Sequence, residues 1–310
     1  GNGDGCAERL GQDCVLKNMK DWKDLTISDD YMFKLIIKRK RICKQMLERI
    51  LHIEIEDLSY VGTEKVLIPV YGSKGVRMDV YVKDGKGTVY NIEMQVRKPE
   101  GDGLAKRTRY YQAMMDADLL AAGADYDRLN PTIIIFICSF DPFDAGRYIY
   151  TFENQCLEDN HIQLKDGTRK IFLNTKGETG EIDASIKAFL RYVDGAVTTD
   201  HFVQEIDREI HAIKSTAEEE ASYMSYAISL AEERKEGRRE GREEGLKEGL
   251  KEGLKEGKKE GKAEGQREER LAILRRLVFM SGMPTDEALS MIGVPADEWA
   301  QYRQELEEIR

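Results

Sequence analysis

Two short apolar segments separated by a turn-forming segment most strongly constrain how this chain can fold. The first segment, VRMDVYV, spans Val76–Val82, and the second, VYNIEMQV, spans Val89–Val96. Between them lies KDGKG, Lys83–Gly87, a sequence rich in the residues that favour tight turns. The pattern predicts two neighbouring strands joined as a β-hairpin.

Three polar side chains interrupt these apolar strands. Asp79 lies in the first strand, and Glu93 and Gln95 lie two residues apart in the second. Residues two apart on a strand point to the same face, so Glu93 and Gln95 should project together. Buried carboxylates are costly unless they are paired or bind a cation. The arrangement predicts a metal-dependent phosphodiesterase site; a cross-strand polar pair on a half-exposed sheet is the alternative.

Asp79 and Glu93 are the predicted metal ligands, because Mg²⁺ prefers carboxylate oxygens and water. The backbone carbonyl of Met94 is a predicted third ligand, and Gln95 is predicted to orient the attacking water or the phosphate. Gln95 cannot act as a cation. Asp30 or its neighbour Asp29, at the start of the first helix, is a further acidic candidate; helix capping is the alternative role for both.

The remaining apolar pattern predicts an α/β core with helices on both faces of a sheet. One helix begins near Asp29 and another spans about Leu104 to Ala121. The run TIIIFICSF after Pro131 is apolar on both faces, which is typical of a central, covered strand. The other predicted strands are Lys65–Val70, Val76–Val82, Thr88–Val96, Tyr148–Phe152 and Lys170–Asn174.

Composition limits the classes of protein that fit. No run of eighteen apolar residues exists in the 310-residue chain, so we expect no membrane span. The five cysteines have no C-x-x-C spacing, and we interpret them as reduced thiols of a cytoplasmic protein. The net charge of −10 argues weakly against nucleic acid as a partner, but Lys34–Arg49 and Gln95–Gln112 are locally basic.

An internal repeat follows the core. Glycines recur every four residues from Gly237 to Gly265, each preceded by a glutamate. Glu232–Arg270 contains thirteen acidic and thirteen basic residues, and pairs such as Glu244–Lys247 support a helix. Eight interior glycines cost about 1 kcal/mol each, so a lone helix would be marginal. We predict a self-association helix that makes the chain a homo-oligomer; a solvated spacer is the alternative.

The C-terminal residues return to a globular pattern. Two short helices are predicted, one capped by Thr285 and one beginning at Ala296–Asp297, with Gly293 at the turn between them. The spacing is typical of a helix-turn-helix. The second helix is acidic, which suits a phosphate-lined groove poorly, so a helical hairpin that contacts protein is the alternative.

The motifs together resemble the PD-(D/E)XK nuclease superfamily, and within it the recombination-promoting nuclease or transposase group. The resemblance is carried by D-x-V-x-V, then I-E-M-Q-V, then K-R-T-R-Y-Y-Q, with SDDYMFKLI near the start. It covers about residues 24–175, and the repeat tail in style. It implies a restriction-endonuclease-like core with a four-stranded mixed sheet flanked by helices. The apolar pattern itself gives the order helix, three strands, helix, strand, followed by an all-helical C-terminal extension from about Asp183.

The resemblance also implies Mg²⁺-dependent cleavage of DNA, with Mn²⁺ able to substitute. Asp79 and Glu93 would be the acidic motif residues, and Gln95 stands where the superfamily generally has lysine. On the following helix, Arg107 is the predicted phosphate contact. The wider set of predicted DNA contacts is Lys106, Arg107, Arg109, Tyr111 and Gln112.

These inferences predict a weakly sequence-specific DNA endonuclease associated with recombination or transposition. The alternatives are a catalytically weak or inactive nuclease-fold protein that binds DNA or assembles, and a hydrolase acting on RNA. The predicted organisation is disorder over 1–20, a nuclease-like domain over 21–180, a helical extension over 181–235, the repeat helix over 236–268 and a helix-turn-helix-like module over 269–310.

Overall fold

A six-stranded mixed sheet forms the centre of the N-terminal part of the chain. A computed structural model describes residues 20–63, 66–67 and 76–308. The sheet strands are β1 (Leu58–Thr63), β4 (Val80–Asp84), β5 (Val89–Gln95), β6 (Thr132–Cys138), β7 (Ile149–Phe152) and β8 (Thr168–Asn174). Their order in the sheet is β1-β4-β5-β6-β8-β7, and β5, β6 and β8 run parallel. A separate pair joins β2 (Val66–Leu67) to β3 (Val76–Arg77).

The predicted hairpin is present, but its first strand is divided. β4 pairs antiparallel with β5, and their connection contains the predicted turn. The predicted strand Val76–Val82 is interrupted at Met78 and Asp79, and the part before the break pairs with β2 instead. The backbone N–H of Asp79 is taken by a side chain of β5, which explains why the ladder does not continue through it. Asp79 therefore precedes β4 and is not within a strand.

Two other parts of the strand prediction differ from the structure or lie outside the described residues. Of the predicted strand Lys65–Val70, only Val66–Leu67 lies within the described residues. The edge strand β1 was not predicted, and its pairing with β4 is irregular, with a register shift between Tyr60 and Gly62. The predicted disordered segment 1–20 lies outside the described residues except for Lys20.

Helices cover both faces of the sheet, as the apolar pattern predicted. Alternate residues of β5 divide between the two cores, with Tyr90, Ile92 and Met94 on one side and Val89 on the other. All residues of β6 are buried, as expected for a covered central strand. The first core is covered by α1 (Asp30–Ile37), α2 (Lys40–Leu51), α4 (Ala184–Val193) and α5 (His201–Lys214), and the second by α3 (Gly103–Leu119).

The chain divides into two compact units at Ile228–Ser229, within the predicted helical extension. The repeat lies in the long helix α6 (Ala217–Arg275). In the C-terminal unit, α7 (Thr285–Met291) and α8 (Trp299–Glu307) are separated by a turn in which Gly293 adopts a φ of 69°. This unit has its own core, made of Leu274, Ala288, Leu289, Val294, Tyr302 and Leu306.

Two further features of the described residues bear on the expectations from composition. Over the described residues, no helix is long and apolar enough to cross a bilayer. Cys43, Cys138 and Cys156 carry free thiols.

Candidate active site

Glu93 is the most deeply buried acidic group of the predicted site. It lies on β5, and only 1% of its surface is exposed. One carboxylate oxygen, Oε1, accepts hydrogen bonds from the backbone N–H of Asp79 (3.0 Å) and from the Asn91 side-chain amide (3.0 Å). The other oxygen, Oε2, accepts one from the Arg107 guanidinium at 3.0 Å. Each oxygen is thereby held in a fixed direction.

Asp79 lies beside Glu93 at the break before β4. Its side chain is 12% exposed, so it is the more accessible of the two predicted ligands. Its Oδ1 is 3.3 Å from the ammonium of Lys34, on helix α1. The same ammonium donates to Asp30 Oδ2 at 2.9 Å, one helical turn earlier. Lys34 therefore joins helix α1 to Asp79, at the break before β4.

The two acidic candidates at the helix start have different surroundings. Asp30 contacts Lys34, and its Oδ2 also accepts a hydrogen bond from the Tyr226 hydroxyl at 2.9 Å. Asp29 instead accepts bonds from the backbone N–H of Thr26 and from Lys20, both at 2.6 Å. Asp30 is thus the member of this pair that connects with Asp79 through Lys34.

Burial and mutual repulsion make the acidic groups hard to ionise. Burial, and secondly the nearby Asp30 carboxylate, raise the pKa of Asp79 to about 6 despite the opposing charge of Lys34. Burial and the neighbouring Asp79 carboxylate raise the pKa of Glu93 well above its usual range, although Arg107 opposes the shift. For Lys34, burial favours the neutral form, but Asp79 and Asp30 outweigh it and the pKa is raised. Lys34 is therefore an ammonium at neutral pH.

Gln95, at the end of β5, and Arg107, on helix α3, line one side of the site. Arg107 donates to Gln95 Oε1 at 2.9 Å and to the Tyr111 hydroxyl at 2.9 Å, in addition to Glu93. Its guanidinium also stacks over the Tyr111 ring, 4.9 Å from the centroid. Since arginine only donates, the oxygen of the Gln95 amide must face it. The Gln95 amide nitrogen donates to the backbone carbonyl of Arg97 at 2.6 Å.

A comparison with known protein families identifies the family of the chain that carries this site. The family model of the PD-(D/E)XK nuclease family transposases matches residues 27–238 of the 310-residue chain. The chain belongs to this family. Membership associates it broadly with nuclease and transposition functions and implies DNA as the substrate. No curated protein and no solved structure matches the chain.

The residues present fit the divalent metal that PD-(D/E)XK nucleases generally use. All the candidate donors are oxygen atoms, which Mg²⁺ prefers. Asp30, Asp79 and Glu93 are opposed by two cations, Lys34 and Arg107, which leaves one negative charge in excess when all five are ionised. Within the described ranges, no three acidic, histidine or cysteine side chains are already grouped around a common point. The Lys34 ammonium contacts Asp79 and the Arg107 guanidinium contacts Glu93 instead.

The predicted DNA contacts separate into exposed and buried residues. Lys106 and Arg109 are exposed on α3, and neither has an ion-pair partner among the described residues. Tyr111 and Gln112, the other predicted contacts on this helix, are buried. Tyr111 accepts a hydrogen bond from Arg107 within α3, and Gln112 donates to Asp116 of the same helix and to Thr132, so the Gln112 bond to Thr132 ties α3 to β6.

The basic stretch Lys34–Arg49 is less available to DNA than its sequence indicates. Arg41 pairs with Glu205 at 2.7 Å, and Arg39 pairs with Glu209 at 3.4 Å, so acidic groups of α5 neutralise part of α2. Lys40 pairs with Asp57, and Lys44 with Glu48 on the same helix. Lys106 and Arg109 of α3 are therefore more open to DNA than these four paired residues.

Two residues of the site were missed by the sequence analysis. Lys34 interrupts the apolar segment YMFKLII, and a single charge on an otherwise buried helix is a signal that could have found it. Asn91 lies two residues before Glu93 on β5, so strand periodicity already placed both on one face.

Proposed function

We propose that this protein is a Mg²⁺-dependent DNA endonuclease of low sequence specificity, which acts in recombination or transposition. One observation carries the proposal: in a chain of a nuclease-fold transposase family, the Glu93 carboxylate bonds the Asp79 backbone N–H at 3.0 Å. This contact holds Asp79 beside the Glu93 carboxylate, just before β4 begins and two residues before β5 ends. Mn²⁺ should substitute for Mg²⁺, because it accepts the same oxygen ligands.

Asp79 and Glu93 would hold the metal, with Asp30 and the Met94 carbonyl as further donors. A bound divalent ion polarises the scissile phosphate and lowers the pKa of a bound water. Around it, Asn91 and the Asp79 N–H fix one oxygen of Glu93, so its carboxylate needs little reorganisation. Arg107 donates to the oxygen of Gln95 and fixes this amide beside the site, where its proposed role is to orient the attacking water or the phosphate.

Exposed cations of α3 supply the contact with DNA in this proposal. Lys106 and Arg109 flank Arg107, whose guanidinium is engaged with Glu93 and Gln95. Lysine and arginine bind phosphate oxygens, which position DNA without reading bases. This is the physical reason to expect cleavage of many sequences.

Plasmid nicking by the full-length protein tests the proposal. We expect supercoiled DNA to be nicked with Mg²⁺ or Mn²⁺ and not with EDTA, because the carboxylates need a metal to act on phosphate. A matched RNA in parallel reactions tests the choice of nucleic acid. Absence of cleavage with both metals, or faster cleavage of RNA, would contradict the proposed function.

A second function is favoured by the neutralised state of the carboxylates. Lys34 and Arg107 already balance Asp79 and Glu93, and Gln95 carries no charge. Carboxylates already paired with protein cations are expected in a nuclease fold that has become a non-catalytic DNA-binding or assembly module. Calorimetry distinguishes the two functions, since a non-catalytic module should give no heat of binding at millimolar Mg²⁺ or Mn²⁺.

We further propose that helix α6 makes the protein a homo-oligomer. Leu246, Leu250 and Leu254 recur every four residues and are 76%, 67% and 58% exposed. A methyl group added at any repeat glycine would meet no atom within 4 Å outside its own helix turn. A second copy of this helix would cover the leucines and could approach closely along the glycines. The equal numbers of acids and bases over Glu232–Arg270 permit antiparallel pairing of charges.

Exchanging the three leucines tests this assembly in the full-length chain. Leu246→Glu, Leu250→Glu and Leu254→Glu together should weaken association more than a hundredfold, since burying each leucine is worth about 1.5–3 kcal/mol. Light scattering should then report the monomer mass of 35.5 kDa. Lys247→Gln, Lys251→Gln and Lys255→Gln change the net charge equally and should leave the oligomer intact. A monomeric wild-type protein would favour the solvated spacer.

A further inference from the structure

Lys34 occupies a position that a lysine rarely takes. Only 4% of its surface is exposed, although lysine side chains usually extend their ammonium into water. Its neighbours on α1, Phe33 and Ile36, are buried as well. Desolvating an ammonium is costly, and two carboxylates offset the cost here: Asp30 at 2.9 Å and Asp79 at 3.3 Å.

The contact with Asp79 distinguishes this lysine from an ordinary helix ion pair. An Asp30–Lys34 pair alone would be a half-exposed i,i+4 interaction, since the Asp30 side chain is 47% exposed. The second contact turns the ammonium inward, to a predicted metal ligand. Tyr226 donates to the same Asp30 oxygen that accepts from Lys34, so Asp30 is itself held in place.

The other described polar groups beside Asp79 and Glu93 do not supply a compact cation. Gln95 is neutral, and its amide is bonded to Arg107 and to the Arg97 carbonyl. The Arg107 guanidinium is committed to Glu93, Gln95 and Tyr111. Within the described part of the chain, Lys34 is the only lysine that contacts Asp79 or Glu93.

We propose that Lys34, reaching from α1, is a catalytic residue that supplies the positive charge absent at position 95. This inference rests on the proposed nuclease function. In hydrolysis the water oxygen bonds to phosphorus, the bond from phosphorus to the leaving sugar oxygen breaks, the water proton leaves to solvent and the sugar oxygen takes a proton from solvent. The Lys34 ammonium faces the phosphate oxygens throughout, and it neither gains nor loses a bond.

Exchange of the charge between positions 34 and 95 tests this role in the full-length protein. Lys34→Gln should lower the single-turnover cleavage rate at saturating DNA by about a hundredfold, the effect of removing one stabilising donor. Adding Gln95→Lys to that variant should recover at least tenfold, because the charge returns to the same site. Lys44→Gln removes a lysine that pairs with Glu48 on its own helix and serves as the control.

Wild-type DNA cleavage is a precondition, and its absence would refute the proposed function and not the role of Lys34 alone. If the wild-type protein cleaves, a Lys34→Gln rate within threefold of wild type would overturn the inference. So would a folded double variant no faster than Lys34→Gln.

A spectroscopic readout covers the case in which Lys34→Gln does not fold. The ¹³Cε signal of Lys34, assigned with Lys34→Arg, should shift when a short duplex is added to the wild-type protein in Ca²⁺, because the ammonium then faces phosphate. The Lys44 signal should not move. An unchanged Lys34 signal with the duplex bound would assign it a structural role and overturn the inference.

Discussion

Asp79→Asn and Glu93→Gln should each lower DNA cleavage by about a thousandfold. Either change removes a charged oxygen from the proposed metal site, and metal stabilisation of a phosphoryl transition state is worth several kcal/mol, about tenfold in rate per 1.4 kcal/mol. Both replacements keep the shape of the side chain. Rates of plasmid nicking at saturating Mg²⁺ measure the effect.

Asp144→Asn is the matched control for these variants. It removes an exposed carboxylate whose partner is Lys98, 2.8 Å away, and the left-handed backbone at position 144 also accepts asparagine. Its cleavage rate should equal that of wild type. Cleavage by the Asp79 and Glu93 variants within tenfold of wild type would reject the site assignment.

The same substitutions should stabilise the metal-free fold. The folded protein binds the Asp79 proton more tightly than the unfolded chain, with a pKa of about 6 against 3.8. This difference in proton binding adds to the free energy of unfolding. The contribution is fully present below about pH 4 and is lost as the pH rises through about 6. Asparagine resembles the protonated form of the side chain. At pH 8 without metal, Asp79→Asn should therefore raise the free energy of unfolding by roughly 1–3 kcal/mol, which denaturant titration measures. Added Mg²⁺ should stabilise the wild type and not the variant.

Metal affinity should fall steeply in acid, which is the second large effect. The raised pKa values of Asp79 and Glu93 mean that protons compete with the metal well above the pH at which ordinary carboxylates ionise. Between pH 8 and 5, the dissociation constant for Mn²⁺ should increase by about tenfold per pH unit once the pH passes below 6, and more steeply if both protons are displaced together.

Titrations of the full-length protein with Mn²⁺ at several pH values measure this dependence. Two exposed carboxylates with ordinary pKa values would give a flat profile over the same range. A flat profile would therefore contradict the burial-induced shifts on which the prediction depends. Rates alone are a weaker readout, because hydroxide concentration also changes with pH.

Short-range periodicity explains which parts of the site could be predicted from sequence. Glu93 and Gln95, two apart on a strand, both bond to Arg107, as a shared face requires. Arg107 and Tyr111, four apart on a helix, bond to each other at 2.9 Å. Each of these relations depends on the geometry of a single element, which a spacing specifies.

Relations between elements explain what the sequence did not reveal. Whether Asp29 or Asp30 joins the site depends on how α1 is rotated against the sheet, and adjacent helical residues point about 100° apart. Lys34 was missed for the same reason. Gln112 was predicted to contact DNA, but the packing of α3 turns it toward Thr132. The break at Asp79 also needs the fold, because the side chain that takes its N–H comes from β5.

Direct binding of Mn²⁺ to the full-length wild-type protein and to Glu93→Gln, measured by calorimetry at pH 8, tests the central claim most directly. We predict a saturable site in the wild type at millimolar or lower concentration and at least a hundredfold weaker binding in Glu93→Gln. Equal binding by the two proteins, or no binding by the wild type, would contradict a metal site at Asp79 and Glu93.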